Sequence, residues 1–480
     1  MITARRMAAV DANAAALGVP RKQLMESSGN AVARVVRDVA GGEGAEIAIV
    51  AGRGNNGGDA FVAARFLDGF DTRTYLLGRP ESVSTDIARE NYDALVEAEY
   101  DVETVTDSRE FGLGDPDVVV DAMLGTGVTG ALREPEASVA ERINALDATV
   151  VAVDVPSGVD ADTGESEGVA VEADHVVTFH DEKPGLSSLD SKVHVADIGI
   201  PAAAETFTGP GDLRSLTRDP QSHKGDHGEV LVVGGGPYTG APALAAGSAL
   251  RAGADLVRVA CPEPVAREIQ GYSENFILVP FEGSRFAPDH VDDLLGRAND
   301  HDVVVFGPGL GSADETLDAV EEFLARYDGR AVVDADALQV VPDVETEATL
   351  VCTPHQGELE KMGGTTAEAW RERRSLVSEF AGDLGHTLLV KGAYDVVSDG
   401  SETRVNRTGN PGMTVGGTGD VLAGVTGALL STQDPLDAAA IGAYANGRAG
   451  DIVVDERGFG LVATDLLERV PEALWGERDD

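Results

Sequence analysis

A chain of 480 residues is too long for one compact core and suits two or three domains, because cores stop growing near about 250 to 300 residues. Its 37 lysines and arginines against 83 aspartates and glutamates leave a formal charge of −46, which excludes a nucleic-acid or anionic-membrane surface. With 42% hydrophobic residues the chain can still bury cores, so the acid belongs on folded surfaces and not in a disordered polymer. Only Lys22, Lys183, Lys192, Lys224, Lys361 and Lys391 are lysines, the other 31 basic residues being arginine. That balance is the pattern of an organism with molar salt in its cytoplasm, where a Debye length of roughly 3 Å removes like-charge repulsion.

Two cysteines, Cys261 and Cys352, are too few for a disulfide framework or a cysteine zinc site, and both are expected in the core. No apolar run reaches the length of a membrane span, and the first residues lack a signal-peptide pattern. A cytoplasmic protein without membrane or nucleic-acid partners is expected, acting on small molecules and forming a homo-oligomer.

In chain order, residues 1 to 40 show helical spacing twice, first through Met7, Val10, Ala14 and Leu17 and then through Val32, Val35 and Val36. Strand-length apolar runs follow, each ending in a Gly- or Asp-rich loop: EIAIVAGRGNNGGD, TRTYLLGRP, PDVVVDAMLGTG, TVVAVDVPSGVD and DHVVTFH. A polar stretch from Thr206 to Gly228 interrupts the series, which resumes as EVLVVGGGPYTGAP, ADLVRVACP, DVVVFGPGLG, AVVDADAL, TLVCTPHQGE and TLLVKGAYDVV. The loop GNPGMTVGGTGD then leads into the apolar helix VLAGVTGALL. Apolar strands alternating with amphipathic helices predict two α/β domains of three layers, 1–212 and 213–480, with parallel sheets covered on both faces. Ligands in such sheets bind beyond the carboxyl ends of the strands, where these loops lie.

Gly52, Gly54 and Gly57 satisfy G-x-G-x-x-G between a strand and a helix, a place where backbone amides approach phosphate. The next strand ends in Gly78 and Arg79 and lacks the acid that would hold a ribose, which counts against a hydride-transferring dehydrogenase. Asn55, Asn56 and Asp59 in the loop, with Asp121, Asp154 and Ser157 at later strand ends, are hard oxygen donors suited to an alkali or alkaline-earth cation. Taken singly, Asp121 and Asp154 read equally as caps of the following helices.

In the second half, Gly416, Gly417, Thr418 and Gly419 can turn their amides toward one point at a helix N-terminus, an anion hole for a phosphoryl group in transfer. Asp420 stands where a base would take the proton of an attacking hydroxyl. No Gly-Lys-Ser/Thr follows, so the loop is not a Walker A motif.

GRGNNGGD, DAMLGTG and VDVPSGVD, in that order, resemble the NAD(P)H-hydrate epimerase family over about residues 1 to 212. The resemblance implies a Rossmann-like domain that interconverts the R and S forms of hydrated nicotinamide cofactors. It places Asn55, Asn56, Gly57, Gly58 and Asp59 on the substrate, and Gly125, Thr126, Gly127, Val128, Thr129, Gly130 and Ala131 around the dinucleotide phosphates. It puts a potassium ion on Asn56, Asp121 and Ser157, and Asp154 against the reacting nicotinamide ring as a catalytic residue. Inverting a carbon that bears a hydroxyl and a ring nitrogen requires a bond there to break and re-form, which a carboxylate assists by proton transfer. Lys183, in HDEKPG, is either a group that neutralises phosphate or moves a proton, or a surface lysine. Ala60 stands where the family usually has Gly, a change that preserves small size.

KGDHG, GGGPYTGAP, GPGLG, TPHQGE, LVKGAYD and NPGMTVGGTGDVLAG resemble the ADP- or ATP-dependent NAD(P)H-hydrate dehydratase family of the ribokinase-like superfamily, over about residues 213 to 480. That resemblance implies phosphorylation of the hydroxyl of the S hydrate, then loss of phosphate to restore NADH or NADPH. By it Ala241, Gly309, His355 and catalytic Asp420 contact the hydrate, while Lys391, Gly392, Ala393, Tyr394, Asp395 and Gly419 contact ADP or ATP. Magnesium is expected with the nucleotide, with Glu358 a candidate ligand; Lys224 has no assigned role. Gln356 departs from the family's usual Pro. The two resemblances together imply one bifunctional repair enzyme of both epimers. The competing reading is a ribokinase-like small-molecule kinase fused to a Rossmann-like binding module.

Overall fold

The computed structural model describes residues 1–42, 44–109, 111–127 and 130–476, and it divides into two compact units, Met1–Ala204 and Glu205–Asp480. The division falls before the expected boundary at 212, because residues 205 to 212 pack into the second unit. Phe207 forms a bridge with Val405, the Thr208 N–H donates to Val405 O at 3.0 Å, and Asp212 lies 3.5 Å from buried Arg404.

The first unit is built on seven parallel strands: β1 (Glu46–Ala51), β2 (Asp71–Leu77), β3 (Val102–Val105), β4 (Val118–Ala122), β5 (Thr149–Val153), β6 (His175–Phe179) and β7 (Lys192–Ala196). They lie in the order β3-β2-β1-β4-β5-β6-β7, a Rossmann-like arrangement in which the winding reverses between β1 and β4. Strand alternation sorts the apolar side chains: Ile47, Ile49 and Ala51 face one core layer, Ala48 and Val50 the other. Helices Ala4–Ala16, Arg21–Ala40, Asn55–Phe66 and Asp86–Glu97 pack on the first face through Met7, Val10, Val32, Phe61 and Tyr92. Helix Glu136–Asn144 covers the second through Val139, Ala140 and Ile143.

The second unit has nine strands: β8 (Glu229–Val233), β9 (Leu256–Pro262), β10 (Ile277–Phe281), β11 (Val303–Phe306), β12 (Arg330–Val333), β13 (Thr349–Cys352), β14 (Thr387–Val390), β15 (Asp395–Ser398) and β16 (Thr403–Asn406). Their order is β10-β9-β8-β11-β12-β13-β14-β15-β16. The parallel sheet expected from the sequence ends at β14, since β14, β15 and β16 pair antiparallel. The run TLLVKGAYDVV is two strands, with its KGAY segment as the turn. Val230, Val232, Val305 and Val332 face helices Gly240–Ala252 and Thr418–Leu430; Leu231, Val233, Val304 and Phe306 face helices Val291–Ala298 and Asp314–Arg326. A Cβ on Gly424 would stand 2.0 Å from Ala245 O, so the small residues of VLAGVTGALL let these two helices approach at backbone contact. Both cysteines are free and buried in this unit.

Candidate active sites

In the first unit the reversal of winding opens a crevice above β1 and β4, and the loop after β1 fills it with backbone at close quarters. A Cβ on Gly52 would lie 1.8 Å from Met123 O, and one on Gly57 2.1 Å from Gly52 O. Only glycine lets the first turn of helix Asn55–Phe66 pass so near the end of β4. Gly58 is also buried, against Met25, so Gly57 and Gly58 shape the loop by packing. Asn55 Oδ1 accepts from the Thr85 hydroxyl at 2.8 Å, which ties the loop to the following helix.

Asn56, Asp121 and Ser157, far apart in sequence, are gathered around Leu124. The Asn56 amide donates to Leu124 O at 3.0 Å, and the Leu124 N–H donates to Ser157 Oγ at 3.0 Å. Asp121 is fully buried; it accepts from the Ser157 hydroxyl at 2.7 Å and from the Ser157 N–H at 2.8 Å. Burial raises its carboxyl to about 6 against those donors, and no cationic side chain pairs with it among the described residues. A buried carboxylate with amide, hydroxyl and carbonyl oxygens beside it, and no counter-charge among the described residues, is a set of hard donors of the kind an alkali or alkaline-earth cation takes. Gly125 abuts the Asn56 side chain, while Thr126, Gly127, Gly130 and Ala131 continue the loop; Val128 and Thr129 lie outside the described residues.

Asp154 follows β5 in a left-handed conformation, φ 65°, which is strained for a residue other than glycine and has to be held by its surroundings. Thr178 donates to its Oδ1 at 3.1 Å, and Lys183 Nζ lies 2.8 Å from the same oxygen. Lys183 is not a surface lysine: it is fully buried, and donates also to Thr178 Oγ1 at 2.9 Å and to Phe179 O at 3.0 Å. Two more carboxyls interact electrostatically with Asp154. Burial, then the charges of Asp154 and Asp11, push Asp59 well above the ordinary carboxyl range; burial and Asp154 push Asp11 to about 6. Asp11 lies in no motif, and its only sequence signal is a carboxylate between Val10 and Ala14 on an otherwise apolar helix face.

In the second unit Gly307 and Gly309, both at positive φ, make close contacts just after β11. A Cβ on Gly307 would meet Asp334 O at 1.9 Å, and one on Gly309 would meet Tyr238 O at 2.6 Å and the Ala241 side chain at 3.4 Å. Gly309 and Ala241 are thus neighbours at the carboxyl ends of β11 and β8.

Gly417, at φ 97°, turns the chain into helix Thr418–Leu430, whose first turn carries Gly419 and Asp420. Lys391, from the end of β14, reaches this turn: a Cβ on Gly419 would lie 3.4 Å from its Nζ. Its ammonium is 3.0 Å from Asp334 Oδ1 and 3.8 Å from Glu358 Oε2. Burial acts to lower the Lys391 pKa, but the charges of Asp334 and Glu358 outweigh it and hold the ammonium above its usual value. Asp334, buried at the end of β12 and also held by the Thr353 hydroxyl at 2.7 Å, is a site residue that the motifs did not single out. Asp420 rises to about 7, through burial and the charge of Asp334, with Lys391 acting in the other direction. A carboxyl that exchanges its proton near neutrality, at a helix N-terminus beside a partly buried ammonium, suits a base in phosphoryl transfer.

His355 is the N-cap of helix Gln356–Lys361: its Nδ1 accepts from the Glu358 N–H at 3.1 Å, while Glu358 Oε2 accepts from the His355 N–H at 2.8 Å. Its ring is 59% exposed, so it both caps the helix and faces outward. Gly392, Ala393 and Tyr394 form the exposed turn after Lys391. Asp395 is committed to that turn's shape, accepting from the Gly392 N–H and the Asn406 amide, each at 2.9 Å. Lys224 is exposed.

Residues 230–472 match the family model described as NAD(P)H-hydrate dehydratase, and residues 21–185 match the model described as YjeF-related protein N-terminus. The bifunctional NAD(P)H-hydrate repair enzyme Nnr of Pyrobaculum aerophilum is 45% identical, with 98% of each chain covered. The protein of the same name from Archaeoglobus fulgidus is 43% identical, again with 98% of each chain covered. Among solved structures, a ribokinase-like superfamily protein from Enterococcus faecalis is similar at 22% identity and a TM-score of 0.50, over 56% of this chain and 95% of its own.

Proposed function

Because this chain belongs to the bifunctional NAD(P)H-hydrate repair enzymes, we propose that its first unit interconverts the R and S hydrates of NADH and NADPH and that its second dehydrates the S form with ADP or ATP. Hydration of the ring yields both epimers, so a dehydratase for one needs an epimerase to deliver the other. Asp420 accepts the proton of the substrate hydroxyl as it attacks the terminal phosphoryl group, and the free amides of the helix first turn with Lys391 receive the charge that develops. Phosphate is a better leaving group than hydroxide, and its elimination restores the dihydronicotinamide. Ala241, Gly309 and His355 contact the hydrate, and residues 391 to 395 with Gly419 contact the nucleotide. Magnesium, if held with the nucleotide, would neutralise phosphate charge, and Glu358 is the candidate protein ligand for it.

In the first unit Asn56, Asp121 and Ser157 would hold potassium, whose charge would compensate the buried carboxylate. Residues 55 to 59 and 125 to 131 take the dinucleotide, and Asp154 assists by proton transfer to or from the departing and returning heteroatom as the bond at the inverting carbon breaks and re-forms. The acid-rich, lysine-poor surface suits a cytoplasm of concentrated salt, and the working form is a homo-oligomer.

The observation that carries the reading is Asp420, titrating at about 7 on the first turn of its helix, beside Lys391 and Gly419. Recovery of dihydronicotinamide absorbance from mixed hydrates in potassium salt, with ADP and with ATP, tests it directly. Regeneration with stoichiometric free phosphate is expected; a stable phosphorylated product without recovery would identify a small-molecule kinase instead.

A further inference from the structure

An ammonium offers three hydrogens, and Lys183 Nζ has three oxygens within 3.0 Å: Asp154 Oδ1 at 2.8 Å, Thr178 Oγ1 at 2.9 Å and Phe179 O at 3.0 Å. Its side chain is 0% exposed, so a phosphate in the crevice cannot reach it without displacing one of these partners. Of the ion pair only Asp154, 14% exposed, meets the solvent. The fold sets the pairing. Asp154 follows β5 and its N–H donates to Val177 O at 2.8 Å, which brings it beside Thr178 on β6. Lys183 returns from the loop after β6, and that loop is locked, since a Cβ on Gly185 would lie 2.4 Å from Gly164 N. Both groups that hold the Asp154 carboxyl use the same oxygen: the Thr178 hydroxyl donates to Oδ1 at 3.1 Å while accepting from Lys183. Oδ2 has no hydrogen-bond or ion-pair partner among the described residues.

We propose that Lys183 is a positioning residue of the epimerase site: with Thr178 it holds Asp154 by Oδ1 and leaves Oδ2 as the oxygen that exchanges the proton. The inference rests on the epimerase reading of this unit. A carboxyl gripped through one oxygen presents the other in a single direction, and orientation of this kind is a large part of what a proton-transferring group contributes. Asp154 needs the grip, because its backbone is held at φ 65°. A buried ion pair adds little stability over apolar packing, so the cost of burying an ammonium here is matched by what it does to the aspartate. Epimerisation neither gains nor loses a proton. The one that Oδ2 exchanges with the heteroatom as the bond at the inverting carbon breaks is returned as that bond re-forms, and Lys183 keeps its own hydrogens throughout.

The test compares Lys183→Met, Thr178→Val, their double variant and Asp154→Asn in the full chain, measuring kcat and KM for R-hydrate consumption well below each melting temperature. Lys183→Met is expected to lower kcat about a hundredfold and Thr178→Val about tenfold, both with KM unchanged and S-hydrate turnover intact. Because both groups act on Oδ1, the double variant should be no slower than Lys183→Met. A raised KM with kcat retained would place Lys183 on the substrate's phosphates and overturn the proposal. A lower melting temperature with wild-type kcat would make the lysine structural only, and losses that multiply in the double variant would show two separate roles; either result also overturns it. If Lys183→Met does not fold, the split between kcat and KM in Thr178→Val decides by the same criteria. Wild-type kcat in Lys183→Met and Thr178→Val beside a stalled Asp154→Asn overturns this inference alone. An Asp154→Asn of wild-type rate overturns the epimerase reading and this inference with it.

Discussion

Lys391 and Asp334, joined by a 3.0 Å ion pair, act on Asp420 in opposite directions: the carboxylate raises its pKa and the ammonium lowers it. A base works when ionised, so dehydration should accelerate as pH rises through about 7, the value for Asp420. Asp334→Asn is expected to move this ascending limb to lower pH. Lys391→Met should move it higher and weaken nucleotide binding as well. Asp420→Ala should lower kcat by about 10²- to 10⁴-fold at every pH. Profiles of kcat against pH with the pure S hydrate decide each point; limbs that coincide in all variants would remove Asp420 as the titrating base.

Replacing potassium by tetramethylammonium at constant ionic strength should impair epimerisation and leave S-hydrate dehydration unaffected. Asp121 supplies the only full negative charge in the proposed ion site, so Asp121→Asn should abolish the potassium dependence together with the activity. An epimerase equally fast in both cations contradicts the ion site.

Gly52→Ala and Gly58→Ala put the same methyl group against different neighbours. At Gly52 it meets Met123 O at 1.8 Å, and backbone has to move; at Gly58 it meets the flexible end of Met25 at 2.7 Å. Overpacking costs about 1 to 3 kcal/mol, and Gly52→Ala is expected at or above the top of that range, Gly58→Ala below it. Urea unfolding followed through the first unit's transition measures both.

Asp59 is held protonated by burial and by Asp154, so the folded first unit binds a proton there that the unfolded chain releases above its ordinary value of 3.8. Stability therefore falls as pH rises from about 4 toward the raised pKa. Asp59→Asn keeps the shape without the titration, and should flatten this decline and stabilise the unit at pH 7. Melting temperatures at pH 5 and 7 read the difference, and a variant as pH-sensitive as the parent would remove Asp59 as its source.

The central strands were legible in the sequence and the edge strands were not. β3, β7, β10 and β16, the outer strands of the two sheets, interrupt their apolar pattern with polar residues such as Glu103, His194 and the buried Arg404 or with an exposed apolar one such as Ile277. A search for fully apolar runs passes over such strands. The sites divide along a similar line. Asn56, Asp121, Ser157, Lys391, Gly419 and Asp420 sit in glycine-marked loops whose composition advertises them. Asp334 does not: it is the last word of an ordinary strand. For Lys183, complete burial excludes the reading as a surface lysine. What gathers these residues is the order of strands in the sheet, and no local spacing encodes that order.

Arg404, on the outermost strand of the second sheet, is bound by Asp437 at 2.6 Å and by Asp212 at 3.5 Å, in a buried cluster that the connecting segment helps to close. That arrangement tells where the two halves can be parted. A second half begun at residue 213 would leave behind Asp212, the Phe207–Val405 bridge and the Thr208 hydrogen bond, stripping the sheet edge and removing one of the guanidinium's partners. Begun upstream of Glu205 it keeps all three. Only from there does it inherit the segment that shields its edge from a second copy's strand.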